Sequence, residues 1–332
     1  MRTRKGTGLR APLDSKEDQL VDLVIYAISR ATRDREPLGR LGNTKIAKIV
    51  YDVAERLDLP ITRSWYMFGT YVWPDNATEE RLRAFSASEP ADFVKVTQES
   101  ARSDLKEEFQ AIESEVEKQP LMFEMALSPF LDRLYEKAPR PYKGVYQSHK
   151  KVLERVWRIV EPRSEDFPSP QFRNGSKEIT AFQKEMLAFH DRPNMVRLVV
   201  DYTTLMEDLM VKYDESLDDA STLNRITGYF KQVYNDYTES IWTFPPSVVA
   251  IRTLKGPRAE EKKVERVEHL ANVDDYLGKA EDLREEAFMQ GLYPNETEVL
   301  HSQGKLIPDL GTDEKTVRDY FLSTLEPATK DE

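Results

Sequence analysis

From Pro90 onward the apolar residues of this chain recur at helical spacing with little interruption. Phe93, Val96, Ala101, Leu105, Ile112 and Val116 lie on a charge-rich helix that reaches Pro120. The spacing predicts further helices over 121–137, with a kink or restart at Ser128-Pro129, and over 146–160, 177–190, 194–213 and 220–241. Pro245-Pro246 stops that run. A highly charged helix follows over about 258–289, with shorter pieces near 295–302 and 313–325. Extended alternation is confined to 61–73, with 247–254 as a second candidate. A chain with so little strand pattern must build its core from helices. The fold class is therefore mainly α, a small helix-plus-wing N-terminal unit followed by a multi-helix bundle.

The N-terminal unit reads as follows. Ser15 and Asp18 resemble a capping box ahead of the stripe Leu20, Val21, Val24, Ile25, Ala27, Ile28 and Ala31. Gly39 and Gly42 break the chain, and Asn43 or Thr44 caps a second helix that Pro60 ends. Ile61 to Trp73 is β-branched and aromatic, broken by Gly69 and stopped by Pro74, which predicts a small hairpin or wing. Two domains are expected, 14–89 and 90–326. The three prolines and one glycine of 161–176 mark a linker or long loop within the second.

Charge is unevenly spread. The 332 residues carry a formal −11, yet residues 1–73 hold 13 Lys+Arg against 9 Asp+Glu, a net +4, leaving −15 for the rest. A local basic region is the footprint that phosphate binding requires, although a basic start on an ordinary surface gives the same count. There is no cysteine, which removes disulfides, thiolate metal sites and cysteine nucleophiles and fits a reducing compartment. No apolar run reaches the 18 residues of a membrane helix, nor the form of a signal peptide, so a cytoplasmic location without membrane association is expected.

Catalytic signatures are scarce. The four histidines are His149, His190, His269 and His301. Glu298 and His301 share a helical face, but a carboxylate-bridged di-iron site needs a second such pair, and there is none. Glu265 and His269 lie in a densely charged helix and read as solvated. No histidine follows an arginine at the four-to-six spacing of HEPN-type ribonucleases. Phosphate-binding glycine loops and a Gly-x-Ser-x-Gly elbow are missing. Asp218-Asp219 and Asp274-Asp275 leave carboxylate-only divalent-metal chemistry open. No catalytic residue, metal ligand or cofactor is assigned.

Two binding readings remain. In the first, Trp65, Tyr66, Phe68, Tyr71 and Trp73 form the densest aromatic cluster. Most of it is expected to pack a small core, with Tyr66, Phe68 and Tyr71 left at a partner surface. In the second, Lys45 and Lys48 fall opposite Ile46, Ile49, Val50 and Val53. An exposed basic helix there, with Arg40 and Arg63, could contact DNA phosphates or bases. The connection between the two helices is longer than a standard helix-turn-helix allows.

Lys45-Ile-Ala-Lys-Ile-Val-Tyr51 resembles the Lys-Leu-Gln-Lys-Leu-Leu-Tyr helix of Panacea-type domains, found in phage-associated proteins, antitoxins and proteolytic adaptors. Trp65-Tyr-Met-Phe-Gly-Thr-Tyr-Val72 resembles that family's Trp…Tyr-Gly-Pro-Val segment, with Gly69 at its glycine. Thr70 stands where proline is usual, Ala47 where glutamine is, and the spacing between the segments is short. The match covers about 30 residues, and it implies a helical, non-catalytic interaction module. The leading expectation is thus a prokaryotic regulatory or interaction protein, of antitoxin, adaptor or phage-defence type, that binds a protein partner, one of basic character given the acidic body. A DNA-binding regulator and a carboxylate-dependent metal enzyme are the alternatives.

Overall fold

A computed structural model describes residues 16–32, 42–67, 69–74, 77–78, 80–83, 104–118, 125–160 and 172–302, and these are mainly helical. Helix α1 (Lys16–Thr32) buries Leu20, Val21, Leu23, Val24, Ile25, Tyr26, Ala27 and Ile28. A helix apolar on so much of its circumference belongs inside, and α1 is a central element. Helix α2 (Asn43–Arg56) buries the expected stripe of Ile46, Ile49, Val50 and Val53.

Strands β1 (Arg63–Tyr66) and β2 (Gly69–Val72) form an antiparallel hairpin in the register Arg63↔Val72, Ser64↔Tyr71, Trp65↔Thr70, Tyr66↔Gly69. The hairpin was expected, but it does not stand free as the expected wing. Arg63 also bridges Lys255 far along the chain, N–H to carbonyl at 2.9 Å in each direction. Thr253 Oγ1 accepts from the Trp65 amide at 2.9 Å, and the Trp242 indole donates to the Met67 carbonyl at 3.2 Å. The hairpin is sewn to the helical body along its outer edge and at its tip.

The body comprises α3 (Asp104–Glu117), α4 (Leu127–Tyr135), α5 (Lys143–Val160), α6 (Phe172–Glu185), α7 (Pro193–Glu215) and α8 (Ala220–Glu239). It continues with α9 (Phe244–Thr253), α10 (Ala259–Ala271), α11 (Val273–Tyr276), α12 (Lys279–Met289) and α13 (Glu296–Ser302). Pro129 sits in the first turn of α4, and Pro193 opens α7, where a missing N–H costs nothing. Asp219 caps α8, its carboxylate accepting from the Ser221 and Thr222 amides at 3.0 and 3.2 Å.

Three expectations are corrected. Pro245 and Pro246 begin α9 rather than ending a helix, and 247–254 is helical through Thr253; apolar burial on all sides, not strand pairing, accounts for its β-branched run. The charged stretch 258–289 is three helices, broken at Asn272 and at Leu277-Gly278. Residues 172–176 of the expected linker belong to α6; the remainder, 161–171, lies outside the described residues, as does the helix expected at 313–325.

Large aromatic side chains fill the centre: Trp242, Tyr202, Tyr237, Phe182, Phe189, Phe230 and Phe244 are fully buried. One connected set of buried side chains runs from Leu20 on α1 to Leu292 beyond α12. That set includes side chains from both expected domains, 14–89 and 90–326, while the division between them lies outside the described residues. No helix among the described residues is long and apolar enough to cross a membrane.

Candidate functional site

Lys45 and Lys48 occupy the side of α2 that the periodicity left polar. Here they are not exposed: Lys45 is 2% and Lys48 3% accessible, and Arg63 is 2% accessible. The hairpin and α4 cover that face of α2. Lys45 donates to the Met125 carbonyl and lies 5.7 Å from the Phe130 ring centroid. Arg63 is a structural clamp, pairing with Glu55 at 2.8 Å and Asp58 at 3.4 Å while donating to the carbonyls of Leu59 and Ile61. The basic set expected to meet DNA is thus internal at three of its four positions. The fourth, Arg40, lies outside the described residues.

Lys48 is different in kind from Lys45. Its ammonium reaches β2 and donates to the Thr70 carbonyl at 3.1 Å. Burial draws it from the usual lysine value of 10.5 to about 7, with no carboxylate compensating. It lines an open cleft of about 370 Å³ between the first turn of α2, the hairpin and the segment that follows. Asn43 and Thr44 flank it at the start of α2. Tyr66, Met67, Tyr71, Val72 and Pro74 form its apolar walls, and Thr70 and Thr78 complete the lining.

Beside the cleft, Tyr66, Tyr71 and Trp73 make a mutually packed, half-buried aromatic face, with ring centroids 5.2–5.8 Å apart. Helix α10 supplies its backing. The Arg266 guanidinium lies 4.9 Å from both the Tyr66 and Trp73 rings and donates to the Tyr66 hydroxyl at 2.7 Å. Lys262 stands 5.7 Å from the Trp73 ring, and the Trp73 indole donates to Ser64 Oγ at 3.2 Å. Such cation–ring contacts fix the rings in orientation while leaving part of each open. Of the three residues expected at a partner surface, Tyr66 and Tyr71 are half-buried and Phe68 lies outside the described residues. The hairpin composition pointed to the aromatic face. Its partners Arg266 and Lys262, some 190 residues away, carried no sequence signal.

Other sequence candidates have structural partners. Glu298 pairs with Lys212 at 2.6 Å and accepts from the Asn295 amide. Glu265 pairs with Lys262 at 2.7 Å, whereas His269 stacks on Phe244 at 4.7 Å and shares a hydrogen bond of 2.8 Å with Thr243 Oγ1. Asp274 accepts from the Asn194 side chain at 2.8 Å. Among the described residues, no three histidine or carboxylate groups gather as a metal would require.

The sequence profile of DUF8098, a domain of unknown function, matches residues 11–126 and 121–310. The chain belongs to this family. The match takes in α1, α2, the hairpin and the body through α13, so the cleft and its buttress from α10 both lie within the family region. No match was found among the curated proteins or among the solved structures.

Proposed function

We propose that this chain is a non-catalytic regulatory or interaction protein, of the antitoxin, adaptor or phage-defence kind implied by the Panacea resemblance. In this reading it binds a protein partner through the aromatic face of the hairpin. The observation that carries the reading is the contrast within one segment. Lys45, Lys48 and Arg63 are buried, each donating to at least one internal acceptor, whereas Tyr66, Tyr71 and Trp73 stand half-open on a rigid support. Recognition surfaces concentrate such aromatics, because they bury large area with little loss of rotamer freedom. The excess of acid over residues 74–332 favours a partner of basic character.

The alternative of DNA binding through 1–73 keeps only those basic residues that the described part does not bury. The reading predicts no duplex binding at about 50 mM salt, where phosphate contacts are strongest. It also predicts co-purification of a protein partner that weakens as salt rises. Salt-steep duplex binding, reduced selectively in Lys45→Glu and Lys48→Glu chains that keep their fold, would favour the regulator instead. Restoration of an activity by Mg²⁺ or Mn²⁺ would favour the carboxylate-dependent enzyme.

A further inference from the structure

We propose that the cleft beside α2 binds a small carboxylate with an apolar tail, its two oxygens held by Lys48, Thr70 Oγ1 and the first turn of α2. This goes beyond the partner reading and does not need it, because the chain alone should take the ligand.

Four observations converge on that end of the cleft. An ammonium has three donors, and the carbonyl of Thr70 takes one from Lys48; the other two meet no acceptor among the described residues. Thr70 is 4% accessible, and its Oγ1 is buried with no hydrogen-bond partner among the described residues. A buried hydroxyl left unpaired costs free energy that a ligand oxygen would recover. Helix α2 begins at Gly42 with no side-chain cap, and Asn43 and Thr44 line the cleft. An uncapped N-terminus attracts negative charge, and Lys48 lies one turn beyond Thr44 on the same helix. Finally, in a chain of net charge −11, no Asp or Glu lines the cleft among the described residues.

The shape selects the ligand class. One ammonium and one hydroxyl match a carboxylate, whereas a phosphate brings more acceptor oxygens and more charge than they satisfy. The walls of Tyr66, Met67, Tyr71, Val72 and Pro74 suit an aromatic or branched aliphatic tail, and about 370 Å³ is within the range of small-molecule sites. The titratable groups facing Lys48 are the phenols of Tyr66 and Tyr71 from the hairpin and of Tyr135, which meets it from α4 around Gly69. On its own helix, Lys45 is turned to the Met125 carbonyl, and Asp52 is paired with Arg56 and Lys137. With its amine near half-charged at pH 7, Lys48 takes up a proton when a carboxylate binds, so affinity falls above neutrality.

Calorimetric titration of the full chain with acetate, isovalerate and benzoate, with benzamide and inorganic phosphate beside them, tests this. Benzoate or isovalerate should bind at least about tenfold more tightly than benzamide, acetate or phosphate, and more tightly at pH 6 than at pH 8. Lys48→Met should cost about tenfold or more. Thr70→Val should cost several-fold without lowering Tm, and it decides the matter if the lysine variant does not fold. Failure of every carboxylate to bind would overturn the proposal. So would equal binding of benzamide, phosphate binding with benzoate inert, or undiminished binding in both variants. Partner capture enters none of these readouts, so the two proposals fail separately.

Discussion

Lys48 and His149 are ionisable groups that the fold holds where their charged forms are disfavoured, and both therefore shape stability against pH. Lys48 is lowered to about 7 in the folded chain and returns to about 10.5 when unfolded. The unfolded chain thus binds more protons between those values, and stability rises with pH across that window. At pH 7 the penalty is on the order of 4 kcal/mol. Lys48→Met removes it while giving up the bond to the Thr70 carbonyl. Chemical denaturation should find the variant more stable than wild type at pH 7, with the gap closing toward pH 10. His149 is buried against Trp242, ring centroids 3.3 Å apart, and its Nε2 has no partner among the described residues. Burial holds it well below 6.5, so the native state keeps it neutral. As pH falls below 6.5 the unfolded chain takes up a proton that the folded chain does not, so stability declines on the acid side. In His149→Phe, urea melts should show that acid loss reduced. At this scale the residue types were readable and their environments were not. The face holding Lys45 and Lys48 looked solvated because helical periodicity records only the apolar side. What covers a polar face is decided by distant segments, here the hairpin and α4.

Among the elements, the hairpin depends most on a single backbone position. Gly69 has φ +103°, and a Cβ there would stand 2.9 Å from Leu134 Cδ2 and 3.1 Å from Tyr135 Cε1. Gly69→Ala meets both a left-handed backbone and a packed wall, so it should cost about 2–4 kcal/mol, read as a lower midpoint in urea. The hairpin itself was legible at 61–73 because β-branched and aromatic residues, a glycine and a bounding proline all agree there. Helices α1 and α2 were legible within a residue or two for the same reason, with stripe and stop signals in accord. The stretch 247–254 misled because β-branched residues suit a strand by propensity. Pro245 and Pro246 fit the opening turn of a helix, and tertiary burial overrode the preference. The charged stretch after 258 kept its helical character but not its continuity. Its breaks fall at Asn272 and Gly278, residues that lower helix propensity without forbidding it.

At the largest scale, the N-terminal helices and the body share one set of packed side chains among the described residues. Glu17 on α1 accepts from the Thr62 amide and pairs with Arg258 at 3.0 Å, tying the start of the chain to the entrance of α10. A fragment of residues 14–89 keeps the Glu17–Thr62 bond but loses the pairing with Arg258 and the bridge to Lys255. It should show no cooperative thermal transition, whereas full-length protein should melt as a single unit by near-ultraviolet circular dichroism. The division expected at 89/90 rested on a change of pattern and charge, and neither reports contacts such as that of Glu17 with Arg258. The aromatic face has the same long-range origin. Its rings come from the hairpin, but their orientation comes from Arg266 and Lys262 on α10. The central claim, that this face receives the partner, is tested most directly by photo-crosslinking in the native host. A photoreactive residue is placed at Tyr71 in one chain and at the exposed Trp157 in another. The account predicts that one protein is crosslinked through position 71 and not through 157. The same partner captured through 157 alone, or retained by both chains with no crosslink at 71, would contradict it.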